Sequence, residues 1–190
     1  MPKKKIARII SELFNGFLTM LIVPIIAVIA MPINIVYKII IPILYIVLPL
    51  GVFFVLKKLG KASDYEFTKR EERPLYFSIL SLIFFFLFLL CIFIIKNQKL
   101  TDVSAILFLV STILTIVSMY WKMSGHMTYS TFMFFSLIYL FPDVKILPIL
   151  FIFTPFIGWS RVALGKHDWL QVVAGTVISA LISVLFFWIL

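Results

Sequence analysis

Near its end the chain reads Ser160-Arg161-x5-His167, followed by Asp168 and Gln171 and set between two apolar runs. Arginine offers a planar fork of donors that matches a phosphate. A neutral histidine can attack phosphorus or carry a proton. A second polar group, Lys122-Met123-Ser124-Gly125-His126, stands before another apolar run. Glycine lets a backbone approach a ligand closely, and the N–H groups at a helix start favour anions. A third, Lys69-Arg70-Glu71-Glu72-Arg73-Pro74, opens a third run. Each has a plainer explanation when taken alone. Arg73 can snorkel beside a proline in the first helical turn. Ser124 can cap a helix, and the last group can anchor helix ends at a membrane boundary.

The elements that must position these residues follow from composition. The 190 residues are 63% hydrophobic and only 13% charged, with a mean hydropathy of +1.17. A chain of this length with so much apolar surface is an integral membrane protein in one domain, 1–190. Its net charge of +9 sits at the ends of apolar runs, as in loops facing anionic lipid. The aromatics are mostly Phe inside those runs, so no nucleic-acid partner is expected. The one cysteine, Cys91, lies in an apolar run and cannot form an intrachain disulfide.

A bilayer core takes about 20 apolar residues per helix. Apolar segments at residues 35–56, 75–95, 103–120, 127–141, 146–159 and 170–190 predict six transmembrane helices. A seventh follows if 17–31, with a kink at Pro24, crosses fully; Pro42 and Pro49 are further kink sites. Residues 3–14 read as a basic interfacial helix, with Ile6, Ile9, Ile10, Leu13 and Phe14 on one face, and not as a cleaved signal. Residues 57–74 form the longest polar loop, with room for a short helix, and Thr101-Asp102 reads as a helix start. The fold class is therefore an all-α polytopic membrane helix bundle. Alternation of spans places the 57–74 loop, the 121–126 turn and the 160–171 stretch on one membrane face.

Arg-Pro, then Ser-Gly-His, then Ser-Arg-x5-His, in that order and at span boundaries, resembles the type 2 phosphatidic acid phosphatase superfamily over roughly residues 60–180. The resemblance implies that His167 is the nucleophile that forms a phosphohistidine and that His126 is the general acid, which later activates water. It implies that Arg73 and Arg161 clamp phosphate and that Ser124, Gly125 and Ser160 add donors; Lys69, Arg70 and Lys122 are basic candidates beside them. No metal or other cofactor is implied, since no acidic residues join the histidines in a ligand spacing. Three positions depart from the family pattern. Glu66 stands where the family has a lysine, and Met123 where it has proline. Gln171 replaces the aspartate four residues after the nucleophile. On a helix Gln171 shares a face with His167 and can accept its Nδ1–H, whereas Asp168 points about 100° away.

The expected activity is hydrolysis of a lipid phosphate monoester or diphosphate in the bilayer: phosphatidic acid, phosphatidylglycerophosphate or a polyprenyl phosphate. A phosphatase-like protein that binds lipid phosphates without turning them over is the alternative. A small transporter is a weaker one, since no charged residue lies in mid-span. Apart from cations assigned to substrate, Lys3, Lys4, Lys5, Arg8, Lys57, Lys58, Lys61, Lys69 and Arg70 fall on the candidate-site face. Lys38, Lys96, Lys99 and Lys145 fall on the other, so the bias predicts a cytoplasmic site.

Overall fold

The computed structural model describes residues 2–189. Met1 and Leu190, the outer ends of the basic N-terminal segment and of the last predicted span, lie outside them. The described chain is all-α. Its α-helices are α1 (Pro2–Leu13), α2 (Gly16–Ala30), α3 (Ile35–Lys58), α4 (Arg73–Leu90), α5 (Gln98–Tyr120), α6 (Gly125–Leu140), α7 (Phe153–Ala163) and α8 (Trp169–Val184). Five stretches are long and apolar enough to cross a membrane: Lys3–Ala30, Ile35–Lys58, Arg70–Ile95, Gln98–Tyr120 and Trp169–Ile189. The protein is accordingly a multi-pass membrane protein, with Ile39, Phe54, Phe86 and Leu181 among many large apolar side chains facing outward.

The predicted spans at 127–141 and 146–159 are shorter helices. At 16 residues α6 is about 24 Å long, less than a hydrocarbon core of about 30 Å. Most of its side chains, from Gly125 to Leu140, are buried in protein. The predicted 146–159 span is a 3₁₀ segment, Leu147–Ile152, running into α7, and it carries the helix past Arg161. Ser160 and Arg161 thus belong to the last turn of a helix and not to the loop after it.

The chain groups into two compact units, residues 1–20 with 122–190, and residues 21–121. In the second unit α3 packs on α4, and α4 on α5. The helix continues through Pro42 and Pro49 in α3, and through Pro24 in α2. Asn97, and not Thr101-Asp102, starts α5: its side chain accepts from Leu100 N–H at 3.1 Å, after Lys96 turns the chain with φ 55°. Tyr45 and Ser104 share a buried hydrogen bond of 2.9 Å, and the Ser81 and Thr112 hydroxyls pair between α4 and α5. These bonds satisfy polar groups where no water reaches them.

In the first unit α6 packs along α8, and α1 along α7. Ser179 donates to the Thr128 carbonyl at 2.8 Å, joining α6 to α8. Asn15 ends the N-terminal helix as a distinct element, because its side chain accepts from Phe17 N–H at 2.8 Å and caps α2. Phe14 packs against Phe134 and Phe153. Ala7 and Ser11 form the buried side of α1, while Ile6, Ile9 and Leu13 stay exposed. The isoleucine face therefore points away from the protein, as an interfacial helix requires.

Candidate active site

The site is assembled from three helix ends of the first unit. The end of α7 is a Schellman turn: Gly165 takes φ 66°, its N–H donates to Val162 O at 2.9 Å, and Lys166 N–H donates to Arg161 O at 3.0 Å. Only glycine enters this left-handed region without a steric cost. The turn reverses the chain, and His167 N–H also points to Arg161 O, at 3.4 Å. His167 is thereby delivered two residues past the glycine, against the helix that carries Arg161.

The start of α8 holds the ring of His167. Asp168 is the N-cap, its carboxylate accepting from Gln171 N–H at 2.8 Å. This arrangement corrects the expectation that His167 and Gln171 share one helical face. His167 precedes the helix, and Gln171 sits in its first turn. In a capping box the residue at Gln171's position reaches back to the cap. Here the Gln171 side chain reaches one residue further, and its Oε1 lies 2.8 Å from His167 Nδ1. An amide oxygen only accepts, so Nδ1 carries the hydrogen and Nε2 keeps its lone pair. Asp168 is spent on the cap.

At the start of α6 the Ser124 side chain accepts from Met127 N–H at 3.4 Å, and Ser124 N–H donates to the Gln171 carbonyl at 3.2 Å. The starts of α6 and α8 are therefore tied together. Gly175 permits this closeness: a Cβ there would lie 2.7 Å from the Ser124 carbonyl oxygen. His126 stands in the first turn of α6, next to Gly125, and is 7% exposed. Its Nε2 is 3.2 Å from Arg161 Nη1. A guanidinium only donates, so Nε2 is the acceptor and the proton of neutral His126 is on Nδ1. Arg161, 2% exposed, also donates from Nη1 to the Ser11 hydroxyl on α1. Arg161 thus joins both histidines, His126 through its side chain and His167 through its carbonyl; His167 is 8% exposed.

Of the residues marked in the sequence, Ser124, Gly125, His126, Arg161, His167 and Gln171 come together. Ser160 lies beside Arg161, but its hydroxyl donates to Ile157 O at 2.7 Å within α7. Lys122 opens the first unit, just before Ser124. Arg73, Arg70 and Lys69 belong to the other unit. Arg73 is buried at the start of α4, 5.6 Å from the centre of the Phe77 ring. Arg70 donates to Tyr120 O at 2.9 Å, neutralising the carbonyl end of α5. Lys69 is exposed and stands 3.9 Å from Glu72. Ser11 was not marked in the sequence. It is 150 positions from Arg161, and no spacing rule connects them.

An imidazole whose hydrogen is held on Nδ1, a second imidazole and a buried guanidinium form a set suited to phosphoryl transfer. The PAP2 superfamily model matches residues 118–190. The matched part holds both histidine motifs, Ser124-Gly125-His126 and Ser160-Arg161-x5-His167, and is similar to that superfamily. The match begins after Arg73-Pro74 and does not include α1. No curated protein and no solved structure matches the chain.

Proposed function

We propose that the chain works as one phosphatase domain that hydrolyses a lipid phosphate through a phosphohistidine. The observation that carries the reading is the His167–Gln171 bond, which fixes the hydrogen on Nδ1 and leaves the lone pair of the ring on Nε2. Nε2 attacks phosphorus and forms the N–P bond as the P–O bond to the lipid alcohol breaks. Arg161 leaves His126 for the phosphoryl oxygens, where its charge counters theirs. His126, protonated at the freed nitrogen, gives that proton to the departing oxygen. Water then attacks phosphorus, His126 takes its proton, and the N–P bond breaks to release phosphate and restore His167. The Gly125 N–H and the Ser124 hydroxyl proton add donors at the start of α6. Arg73 keeps the phosphate-binding role on the strength of the Arg73-Pro74 motif, while Arg70 and Lys69 have the partners described above.

The substrate class is a lipid monophosphate or diphosphate, because a site at helix ends of a multi-pass protein lies where a headgroup presents its phosphate. Phosphate release by the purified protein, measured across phosphatidic acid, phosphatidylglycerophosphate and polyprenyl phosphates, tests the reading. Retention of these lipids without release would instead establish a binding protein. That second reading is favoured by one observation, the amide of Gln171 where the family has a carboxylate.

The cost of that amide is measurable. In a protease triad, amide for carboxylate lowers the rate about 10⁴-fold, chiefly through the wrong tautomer. Here the amide oxygen already selects the right tautomer, and only the negative charge is missing. Gln171→Glu, which preserves the reach of 2.8 Å, is expected to raise kcat several-fold, about 1 kcal/mol in barrier. Gln171→Asp is shorter by a methylene and gains less. Gln171→Leu is expected to lose about tenfold or more. Equal rates for Glu, Leu and wild type would remove Gln171 from the mechanism.

The excess of Lys and Arg on the face that span alternation assigns to the candidate site supports a cytoplasmic orientation, which favours a lipid phosphate made inside the cell over one recycled outside. Lys61 is exposed in the loop that precedes α4. A Lys61→Cys protein in intact cells is expected to resist an impermeant thiol reagent and to react after lysis; the native Cys91 is buried. Labelling before lysis would reverse the orientation.

A further inference from the structure

A groove of about 670 Å³ runs along the outer side of α1 to the start of α2, lined by Lys5, Arg8, Ile9, Glu12, Leu13 and Leu18. It lies within the size range of small-ligand sites, about 300–1,000 Å³. Its walls divide by chemistry. Lys5 and Arg8 stand toward the start of α1, and Leu13 and Leu18 stand at the other end, with Ile9 and Glu12 between them. From Lys5 to Leu13 the helix rises about 12 Å, so the cations and the apolar side chains occupy opposite ends of the groove. All six residues but Lys5, Arg8 and Glu12 are apolar, and α1 as a whole carries Lys3, Lys4, Lys5 and Arg8 against the one carboxylate of Glu12.

We propose that this groove binds one anionic glycerophospholipid of the surrounding leaflet, a lipid that is not the substrate. Its phosphodiester lies between Lys5 and Arg8, and its acyl chains run over Ile9, Leu13 and Leu18. Three observations select this occupant over a second copy of the chain or a free anion. The cationic end attracts a phosphate-bearing headgroup, as basic juxtamembrane segments do. The exposed Ile6, Ile9 and Leu13 put this side of α1 toward the bilayer interface. The helix is also held in place from behind, since Ser11 on the opposite side accepts from Arg161 and Ala7 is buried. The site is therefore preformed, and it needs no turnover to be seen.

The test uses Leu18→Trp protein in phosphatidylcholine bilayers that contain a minor fraction of brominated phosphatidylglycerol or, separately, brominated phosphatidylcholine. The same bilayers with wild-type protein supply the background of the four native tryptophans. Two basic residues at the surface predict a local enrichment of the anionic lipid of up to about thirtyfold, lowered by the carboxylate of Glu12. The introduced tryptophan is then quenched more strongly by brominated phosphatidylglycerol than by brominated phosphatidylcholine. Lys5→Gln with Arg8→Gln, both exposed positions, removes that excess. Equal quenching by the two lipids overturns the proposal, as does an excess that survives the double substitution. Inorganic phosphate that competes the excess away at millimolar concentration also overturns it, since the site would then be one for a free anion. Phosphatidylglycerol is a phosphodiester, so the result stands apart from whether the chain hydrolyses monoesters.

Discussion

Replacing His167 by alanine is expected to lower turnover of a lipid phosphate by on the order of 10⁴-fold or more, as removal of a nucleophile does elsewhere. The fold should survive. The turn that delivers residue 167 is made by backbone bonds of Gly165, Lys166 and His167 itself, and none of them uses the ring. The α8 cap is made by Asp168 and is likewise untouched. The loss should therefore appear in kcat with no comparable fall in thermal stability. A direct signature accompanies it. Wild-type protein quenched during turnover of a ³²P-labelled substrate should carry label that is stable in base and lost in acid, as a phosphoramidate is. His167→Ala should carry none. Labelled His167→Ala, or a mutant retaining a tenth of wild-type kcat, would move the nucleophile elsewhere.

His126→Ala is expected to separate the two half-reactions. With a lipid alcohol as leaving group, loss of the proton donor should cost about 10²–10⁴-fold. An activated aryl phosphate leaves without protonation, so the first step should proceed nearly as fast as in wild type. The second step still needs a base for water. The mutant should thus release one equivalent of phenol in a burst and then turn over slowly, with phosphorylated His167 accumulating. The geometry adds a further expectation. Arg161 Nη1 loses its His126 acceptor but keeps Ser11, so the guanidinium stays in place and KM should change little. No burst, together with equal losses on aryl and lipid substrates, would argue that His126 only packs against Arg161.

The helices and their polar ends were legible because they rest on local rules. Long apolar runs need no partner to identify them, and Asn15, Asn97, Ser124 and Asp168 cap helices in ways a short window contains. Of these only Ser124 is read as a cap from the sequence, and for Asn97 and Asp168 the difference has a consequence. One moved the start of α5. The other placed His167 on a helix that begins only after it. The expected span at 127–141 is a short helix buried in protein, α6, which hydropathy alone cannot distinguish from one that faces lipid.

Determined by the sequence alone are an all-α, membrane-embedded chain and the order of its Arg-Pro, Ser-Gly-His and Ser-Arg-x5-His motifs. Solvation decides the first, since so apolar a chain has no stable state in water, and residue type decides the second. Tertiary structure decided which of these polar groups meet one another. Ser160 donates into its own helix, Arg70 caps α5, and Arg161 is held between His126 and an unmarked Ser11 on α1. The pairing of Ser11 with Arg161 depends on the packing of α1 on α7, and nothing in a periodicity or a motif encodes which buried donor meets which acceptor 150 residues away. Hydrogen bonds are directional and short, so the partner is settled only when the backbones are in place.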